Sequence, residues 1–108
     1  ARKVKTSNTI RFVGGGALSP VTCQMLADIT GRTIETVCNP QEVGAIGTAL
    51  VVAAGIQGTD VLELARRLVR VRQIYTPTPA NSAVYERNYK VFKRLYKANA
   101  NCFQELNA

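Results

Sequence analysis

The sequence predicts an α/β fold, a short sheet with helices packed against it, and three observations support this prediction. Two runs rich in β-branched residues, 9–13 and 33–38, are predicted strands, and each is followed by a segment with helical spacing of apolar residues. The order strand, helix, strand, helix favours parallel pairing of the strands through a right-handed crossover. At 108 residues and 46% hydrophobic composition, the chain is long enough for one modest core.

Small polar residues followed by proline mark the starts of the first two helices. Ser19 and Pro20 predict an N-cap and a proline at the first helical position, so the first helix covers residues 19–30 and ends at Gly31. Its helically spaced apolar residues are Val21, Met25, Leu26 and Ile29. Asn39, Pro40 and Glu42 predict a second capped start, for a helix over residues 40–54.

The second helix contains two glycines three residues apart, Gly44 and Gly47. A glycine inside a helix costs about 1 kcal/mol relative to alanine. The pair therefore predicts a face against which the sheet or a neighbouring helix packs closely. On this interpretation Gly47→Leu destabilises the protein by about 1–3 kcal/mol through overpacking.

The remaining sequence predicts a short helix, an extended segment and a long final helix. The short helix covers residues 60–68, and residues 69–74 are predicted to be extended. Prolines at 77 and 79 exclude a helix over residues 75–79, and Ser82 caps the final helix. The inward residues predicted for the short helix are Val61, Leu64, Ala65 and Leu68.

The final helix carries an aromatic stripe and, on a different face, a basic stripe. The aromatic residues are predicted to pack in a core or an interface, and a homodimer is one arrangement that such an interface allows. The basic residues are predicted to form a solvated face. The aromatic stripe comprises Tyr85, Tyr89, Phe92, Tyr96 and Phe103, and the basic one Arg87, Lys90, Arg94 and Lys97.

Composition and charge exclude several classes of function. The chain has no histidine, which removes Ser-His-Asp and Cys-His catalysis and histidine-ligated metal sites if it acts alone. The net charge is +7, but the basic residues cluster towards the two ends of the chain, so we expect no nucleic-acid partner. No apolar run reaches the roughly 18 residues of a membrane helix, and the polar, basic residues 1–8 do not form a signal peptide.

Three cysteines at wide spacing form neither a disulfide framework nor a metal motif. Cys23, Cys38 and Cys102 are predicted to be buried, reduced thiols of a cytoplasmic protein. Without a histidine to lower a thiol pKa, none of them is a candidate nucleophile.

The segment whose residues suggest ligand binding is the turn between the first strand and the first helix. It comprises Gly14, Gly15, Gly16, Ala17, Ser19 and Pro20. Glycines let a backbone approach a ligand closely, and a helix N-terminus offers unpaired N–H groups, so phosphate or the face of a base fits here. The segment is neither a dinucleotide-binding fingerprint nor a P-loop, and on spacing alone a tight turn with no ligand is the favoured explanation of the glycines.

Taken in order, these motifs resemble the C-terminal region of FGGY-family carbohydrate kinases, most closely the xylulose kinase branch. The similar segments are residues 12–20 (FVGGGALSP), residues 24–31 (QMLADITG), and Glu42 followed by residues 44–49 (GAIGTA). Tyr85, Tyr89 and Tyr96 on the final helix add to the resemblance. It covers roughly residues 9–107 of the chain.

The resemblance implies an actin-like ATPase fold of two ribonuclease-H-like domains, with residues 1–108 forming the C-terminal part of the second, ATP-side domain. It implies that Gly14, Gly15, Gly16, Ala17, Ser19 and Pro20 bind ATP, with Gly16 against the adenine or ribose. The parent enzyme would use ATP and Mg²⁺ to phosphorylate a ketopentose or related polyol in the cytoplasm. The catalytic Asp and the sugar site would lie upstream, so this chain alone should be inactive and should hold no cofactor tightly.

Two other classes of function stay open. One is a non-catalytic module that binds a nucleotide or a protein partner. The other is a small basic nucleic-acid binder, which predicts salt-sensitive binding. Phosphoryl transfer from ATP to a sugar by the full-length protein distinguishes the kinase from both.

Overall fold

The computed structural model describes residues 5–108, so half of the basic segment at residues 1–8 lies outside the described residues. The chain divides into two compact units, of which the first ends at Pro77 and the second comprises Thr78–Ala108. Each unit is described by itself.

The first unit is built on a three-stranded sheet of β1 (Thr9–Phe12), β2 (Thr33–Val37) and β3 (Val71–Tyr75), in the order β1-β2-β3. β1 pairs with β2 in parallel, and β3 pairs with β2 antiparallel. This confirms the predicted sheet and the parallel pairing of its first two strands. The predicted extended segment at residues 69–74 corresponds to the third strand, which begins two residues later and ends one residue later than predicted.

Three helices accompany the sheet in the first unit: α1 (Pro20–Thr30), α2 (Val43–Gln57) and α3 (Val61–Leu68). α1 connects the two parallel strands, as a crossover helix must. Ser19 caps it, because its Oγ accepts a hydrogen bond from the backbone N–H of Thr22 at 3.3 Å. At its other end Gly31 has a φ of 65° and donates its N–H to the carbonyl of Ala27. The predicted boundaries of this helix are therefore confirmed.

One face of the sheet packs against α1. The fully buried residues on this side are Cys23 and Ala27 of α1 and Ile34 of β2, with Ile10 and Phe12 of β1 packed against them. The fully buried residues of α1 are thus small, and Leu26 packs against them half-buried, whereas Val21, Met25 and Ile29 are 69%, 47% and 51% exposed. The apolar spacing in the sequence located the helix correctly but did not identify the face that this chain buries.

The other face of the sheet points towards α2. Side chains alternate along a strand, so Arg11 and Val13 lie opposite Ile10 and Phe12. Arg11 and Val13 line a cavity of about 280 Å³ together with Val37 of β2 and residues of α2. The remaining contacts of α2 form a second core, in which Leu50 and Ala54 of α2 pack with Leu64 of α3.

Three predictions about α2 and α3 are wrong in part. Asn39 makes no capping hydrogen bond, and residues Pro40–Glu42 form a 3-10 turn before α2 begins. A Cβ built on Gly44 or Gly47 meets no atom of the described residues within 4 Å, so no backbone packs closely on these glycines. In α3 the inward residue Leu64 is buried as predicted, but Leu68 is 60% exposed.

The second unit consists of α4 (Ser82–Ala98) and α5 (Ala100–Leu106), preceded by a 3-10 turn at Pro79–Asn81. The predicted long helix is therefore interrupted at Asn99, whose side chain bonds back to the carbonyl of Leu95 at 2.8 Å. The residues on both sides of Asn99 are helical, and the aromatic stripe continues from α4 into α5. The ring centroids of Tyr96 in α4 and Phe103 in α5 are 5.6 Å apart.

The aromatic stripe is not a core within this unit. Phe92 and Tyr96 are 68% and 77% exposed, and Tyr89 carries the ammonium group of Lys93 over its ring at 4.7 Å. The prediction that these rings pack in a core is wrong for the described chain, while packing in an interface stays a prediction. The basic residues of α4 are exposed, as predicted. Within residues 5–108, no helix combines the length and apolar composition needed to cross a membrane.

The cysteines differ from the prediction as well. Cys23 is fully buried, but Cys38 and Cys102 are exposed. Cys38 follows β2 directly and Cys102 lies on α5, so neither position faces a core. Burial raises the pKa of the Cys23 thiol above its ordinary value, against a smaller opposing effect of a backbone hydrogen bond.

Alkylation should distinguish these thiols. Because the reactive species is the exposed thiolate, we expect iodoacetamide to label Cys38 and Cys102 of the folded chain and to leave Cys23 unmodified. Mass spectrometry of peptides from the labelled chain measures this, and unfolding in guanidinium should expose Cys23 to the same reagent. Labelling of Cys23 at the rate of the other two would show that the α1 side of the sheet is not closed.

Gly47→Ala tests the open surroundings of α2. A methyl group at this position meets no described atom within 4 Å and removes the conformational cost of glycine, so we expect stabilisation by up to about 1 kcal/mol. The reverse is expected for Gly58→Ala at the end of α2, because Gly58 has a φ of 64°. Denaturant unfolding of the 108-residue chain measures both. A loss of stability in Gly47→Ala would contradict these open surroundings and support the close packing that the sequence predicted.

Candidate functional site

The candidate site is the turn that joins β1 to α1. β1 ends at Phe12, and Gly14 then adopts a φ of 91°, a conformation that L residues with a side chain rarely take. Gly15–Leu18 form one turn of 3-10 helix, in which Ala17 is buried and donates its N–H to the Gly14 carbonyl at 3.1 Å. We call residues 14–18 the glycine turn.

Two backbone donors of the glycine turn are free to bind a ligand. Gly15 and Gly16 are exposed and open a 3-10 helix, where N–H groups have no acceptor within the helix. Neither N–H has an acceptor elsewhere among residues 5–108. Gly14 differs, because its N–H is donated to the carbonyl of Pro40 at 2.7 Å. The turn thus presents adjacent N–H groups to solvent while its first residue is held to the rest of the protein.

The three glycines are constrained by different surroundings. Gly14 needs its positive φ. A Cβ on Gly16 would lie 3.1 Å from Cζ of Phe12, so a side chain there would displace a ring of the α1-side core. Gly15 has neither constraint, since nothing described lies within 4 Å of its Cβ position. The glycine at position 16 is therefore explained either by a closely bound ligand or by internal packing. At position 15 the packing of this chain gives no reason for a glycine.

Ser19 and Pro20 complete the turn and start α1. The Ser19 side chain satisfies the Thr22 N–H, and its carbonyl accepts from Cys23 N–H at 3.1 Å. Pro20 has no N–H to satisfy, so it fits the first helical position. Ser19 and Pro20 thus fix where α1 begins. As a result the N-terminal end of α1, with its positive dipole, lies next to the glycine turn.

A second turn lies beside the glycine turn, between β2 and α2. Asn39 has a φ of 51° and a ψ of 56°, the left-handed conformation, and Pro40 is fully buried. The Pro40 carbonyl is the acceptor for Gly14, and the neighbouring Cys38 donates its N–H to the carbonyl of Arg70 at 3.0 Å. The glycine turn, the start of α2 and the start of β3 are therefore joined through residues 38–40.

Three charged side chains near these turns, those of Arg11, Glu35 and Asp28, are engaged in structural contacts. Arg11 and Glu35 form a cross-strand ion pair at 3.1 Å on the α2 face of the sheet. Gln24 donates its side-chain N–H to both the Asp28 carboxylate and the carbonyl of Thr76, which ties α1 to the chain after β3. Asp28 is nearly buried and accepts this hydrogen bond close to the end of α1.

The described residues supply binding groups and no set of reactive groups. Among residues 5–108, no three Asp, Glu or Cys side chains come together as metal ligands would. The buried thiol of Cys23 is directed at the Ala17 carbonyl at 3.7 Å and its pKa is raised, which disfavours the thiolate. What the arrangement can do chemically is to accept an anionic or planar group on the exposed N–H groups of the glycine turn.

The structure brings the six residues singled out in the sequence together at one place, the end of β1 and the start of α1. What sequence reasoning missed is the contact with Asn39 and Pro40. The available signal was the tolerance of Asn for left-handed backbone in turns, but the Asn-Pro-x-Glu pattern favoured a helix cap instead.

Comparison with known proteins gives a consistent result. Residues 2–56, just over half of the chain, match the model of the FGGY family of carbohydrate kinases, C-terminal domain. A probable L-xylulose kinase of Pasteurella multocida is 33% identical over 98 residues, which are 90% of this chain and 19% of that protein. An autoinducer-2 kinase of Salmonella typhimurium is 30% identical over 92 residues, or 84% of this chain and 17% of that protein. The chain thus spans about a fifth of the length of these curated relatives.

A solved structure shares the fold. The ligand-bound xylulose kinase from Lactobacillus acidophilus superposes with a TM-score of 0.82 over 97% of this chain and 21% of that one, at 22% identity. Together with the family match, this confirms the predicted fold class, part of an actin-like ATPase domain with a short sheet and packed helices.

Ser19 offers a test of how the site is built. Ser19→Ala removes the acceptor for the Thr22 N–H, and we expect a loss of about 1 kcal/mol in the free energy of unfolding. Ser19→Asp retains an acceptor at a helix N-terminus and should keep the stability of the original chain. Denaturant unfolding of both variants provides the comparison. Equal stability of Ser19→Ala and the parent chain would mean that Pro20 alone sets the start of α1.

Proposed function

The chain belongs to the FGGY family of carbohydrate kinases, and on that premise we propose that it is the C-terminal part of the ATP-side domain of a sugar kinase. The full-length enzyme would transfer the γ-phosphoryl group of ATP to a sugar hydroxyl. This chain would supply one wall of the ATP site, and the remaining four-fifths of the protein would supply the rest.

The observation that carries the proposal is the geometry of the glycine turn. Gly15 and Gly16 present unpaired N–H groups to solvent, with the N-terminus of α1 beside them. Backbone donors of this kind bind phosphate oxygens, and a surface without side chains lets a flat base or ribose approach. We assign Gly14, Gly15, Gly16, Ala17, Ser19 and Pro20 to the ATP site, with Gly15 and Gly16 in contact with the nucleotide and the others holding the turn.

The exposed surfaces of the chain support its assignment as part of a larger domain. β1 has no strand on its outer edge among the described residues, and native proteins usually cover or shorten such an open edge. Helix α2 is apolar all round, and Val51, Val52 and Ile56 are 62%, 55% and 82% exposed. Together with the cavity on the α2 face, these surfaces fit a chain whose core is completed by further polypeptide.

The reaction assigned to the full-length enzyme is an in-line phosphoryl transfer, for which positioning and charge stabilisation supply most of the catalysis. The base that accepts the proton of the sugar hydroxyl, the sugar-binding residues and any ligands of Mg²⁺ would lie in the rest of the enzyme. We assign no residue of this chain to Mg²⁺, because no cluster of ligands forms among residues 5–108. The substrate we propose is a ketopentose of the xylulose type or a related polyol, since the relatives include xylulose kinases.

We further propose that the kinase acts in the cytoplasm, where ATP is available and exposed thiols such as those of Cys38 and Cys102 stay reduced. Its partners are then ATP and the sugar. The direct test is incubation of the full-length kinase with ATP and a panel of ketopentoses and polyols. Formation of a sugar phosphate supports the proposal, and nucleotide binding without transfer to any of them would favour a non-catalytic nucleotide-binding module.

Gly15→Val tests the contact between the glycine turn and ATP. A valine at this exposed position meets no described atom of the chain but projects from the surface assigned to the nucleotide. We expect the KM for ATP of the full-length kinase to rise about tenfold, which corresponds to about 1.4 kcal/mol of lost binding, with little change in the KM for the sugar. Steady-state kinetics with each substrate varied separately measures the two constants.

The matched control is Gly55→Val, another exposed glycine whose Cβ position is open within this chain. It lies in the last turns of α2, so its KM for ATP should equal that of the original enzyme. An unchanged KM for ATP in a folded Gly15→Val enzyme would contradict the assignment of the turn to the nucleotide. Gly16→Val is a poorer test, because it also disturbs Phe12.

A further inference from the structure

We infer that Asn39 is a positioning residue for the nucleotide: it holds the glycine turn in its binding conformation through the backbone of Pro40. The inference rests on the proposed function, because it concerns the same ATP site. It adds a residue that lies outside the glycine turn, two positions after the end of β2, and whose side chain makes no capping hydrogen bond.

The link between the two turns is one short hydrogen bond. The Gly14 N–H donates to the Pro40 carbonyl at 2.7 Å, and Pro40 is fully buried, so the acceptor is fixed in place. Gly14 in turn accepts from the N–H of Ala17 and thereby sets the 3-10 turn in which Gly15 and Gly16 present their N–H groups. Moving the Pro40 carbonyl would therefore move the donors assigned to ATP.

The position of that carbonyl depends on the backbone of Asn39. Within residues 5–108, Asn39 is the one residue other than glycine with a positive φ. Asn adopts this left-handed conformation far more readily than a β-branched residue does. Its side chain makes no capping bond to α2, so the feature of Asn39 that the structure uses is its backbone conformation.

Two further backbone hydrogen bonds hold the turn around Asn39, one before and one after this residue. The Cys38 N–H donates to the Arg70 carbonyl at 3.0 Å, just before β3, and the Asn39 carbonyl accepts from the Glu42 N–H at 3.0 Å, just before α2. With both flanks tied to regular elements, a change of conformation at Asn39 has to be taken up by Pro40 and therefore by Gly14.

The experiment compares three variants of the full-length kinase. Asn39→Val disfavours the left-handed conformation, Asn39→Gly allows it without a side chain, and Gly58→Val imposes the same kind of strain at the end of α2, away from the glycine turn. The two readouts are the KM values for ATP and sugar, and the hydrogen-exchange rate of the Gly14 amide. The Gly31 amide, bonded to the Ala27 carbonyl at 2.9 Å, is the internal reference for exchange.

We expect Asn39→Val to raise the KM for ATP about tenfold, to leave the KM for the sugar within about twofold, and to accelerate Gly14 exchange about tenfold relative to Gly31. Asn39→Gly and Gly58→Val should keep the original KM for ATP. Accelerated Gly14 exchange with an unchanged KM for ATP would overturn the inference and leave the proposed function intact. Absence of ATP-dependent activity in the original enzyme would overturn the proposed function and the inference with it. If Asn39→Val fails to fold, Asn39→Ala is measured in its place, and a KM for ATP equal to that of Asn39→Gly overturns the inference.

Discussion

The parallel pairing of β1 with β2 is the constraint on which the rest of the first unit depends. Two parallel strands need a crossover between them, and α1 supplies it by packing its small residues Cys23 and Ala27 on one face of the sheet. The pairing also brings the carboxyl ends of both strands to the same edge. The glycine turn and the Asn39–Pro40 turn therefore lie side by side, close enough for the Gly14 N–H to reach the Pro40 carbonyl. The candidate site therefore forms because both strands end at the same edge of the sheet.

The division of roles at this edge follows from which backbone groups are already satisfied. The N–H groups of Gly14 and Ala17 donate to carbonyls within the protein, and the Ser19 side chain accepts an N–H of the first turn of α1. The N–H groups of Gly15 and Gly16 have no acceptor among residues 5–108. A buried backbone group must find a partner, so the donors left over are the exposed ones. The groups that this edge offers are backbone donors, while burial raises the pKa of the Cys23 thiol and so disfavours its thiolate.

The wrong predictions about helix faces share a cause, which is that residue spacing predicts the face that a helix can bury and not the face that it buries within this chain. Val21, Met25 and Ile29 of α1 have the expected spacing and are exposed, and Gly44 and Gly47 of α2 face open space. The chain spans about a fifth of the length of its relatives, so these surfaces lack the polypeptide that we propose covers them. On the proposed function the sequence pattern reflects the larger domain, whereas burial in this structure reflects residues 5–108.

The sequence by itself determined the local elements and their order. β-branched runs located β1 and β2 to within a residue, and Ser19, Pro20 and Gly31 located both ends of α1, because capping and strand propensity act over a few neighbouring residues. It also identified the glycine turn as the candidate site. Only the tertiary structure decided that Gly14 is held by Pro40, that Gly16 packs against Phe12 while Gly15 is open, and that Asn39 takes a left-handed turn instead of capping α2. The first depends on a residue that is distant in sequence, the second on where the Phe12 ring lies in the core, and the third on a choice between two local conformations. The residues of the turn alone specify none of them.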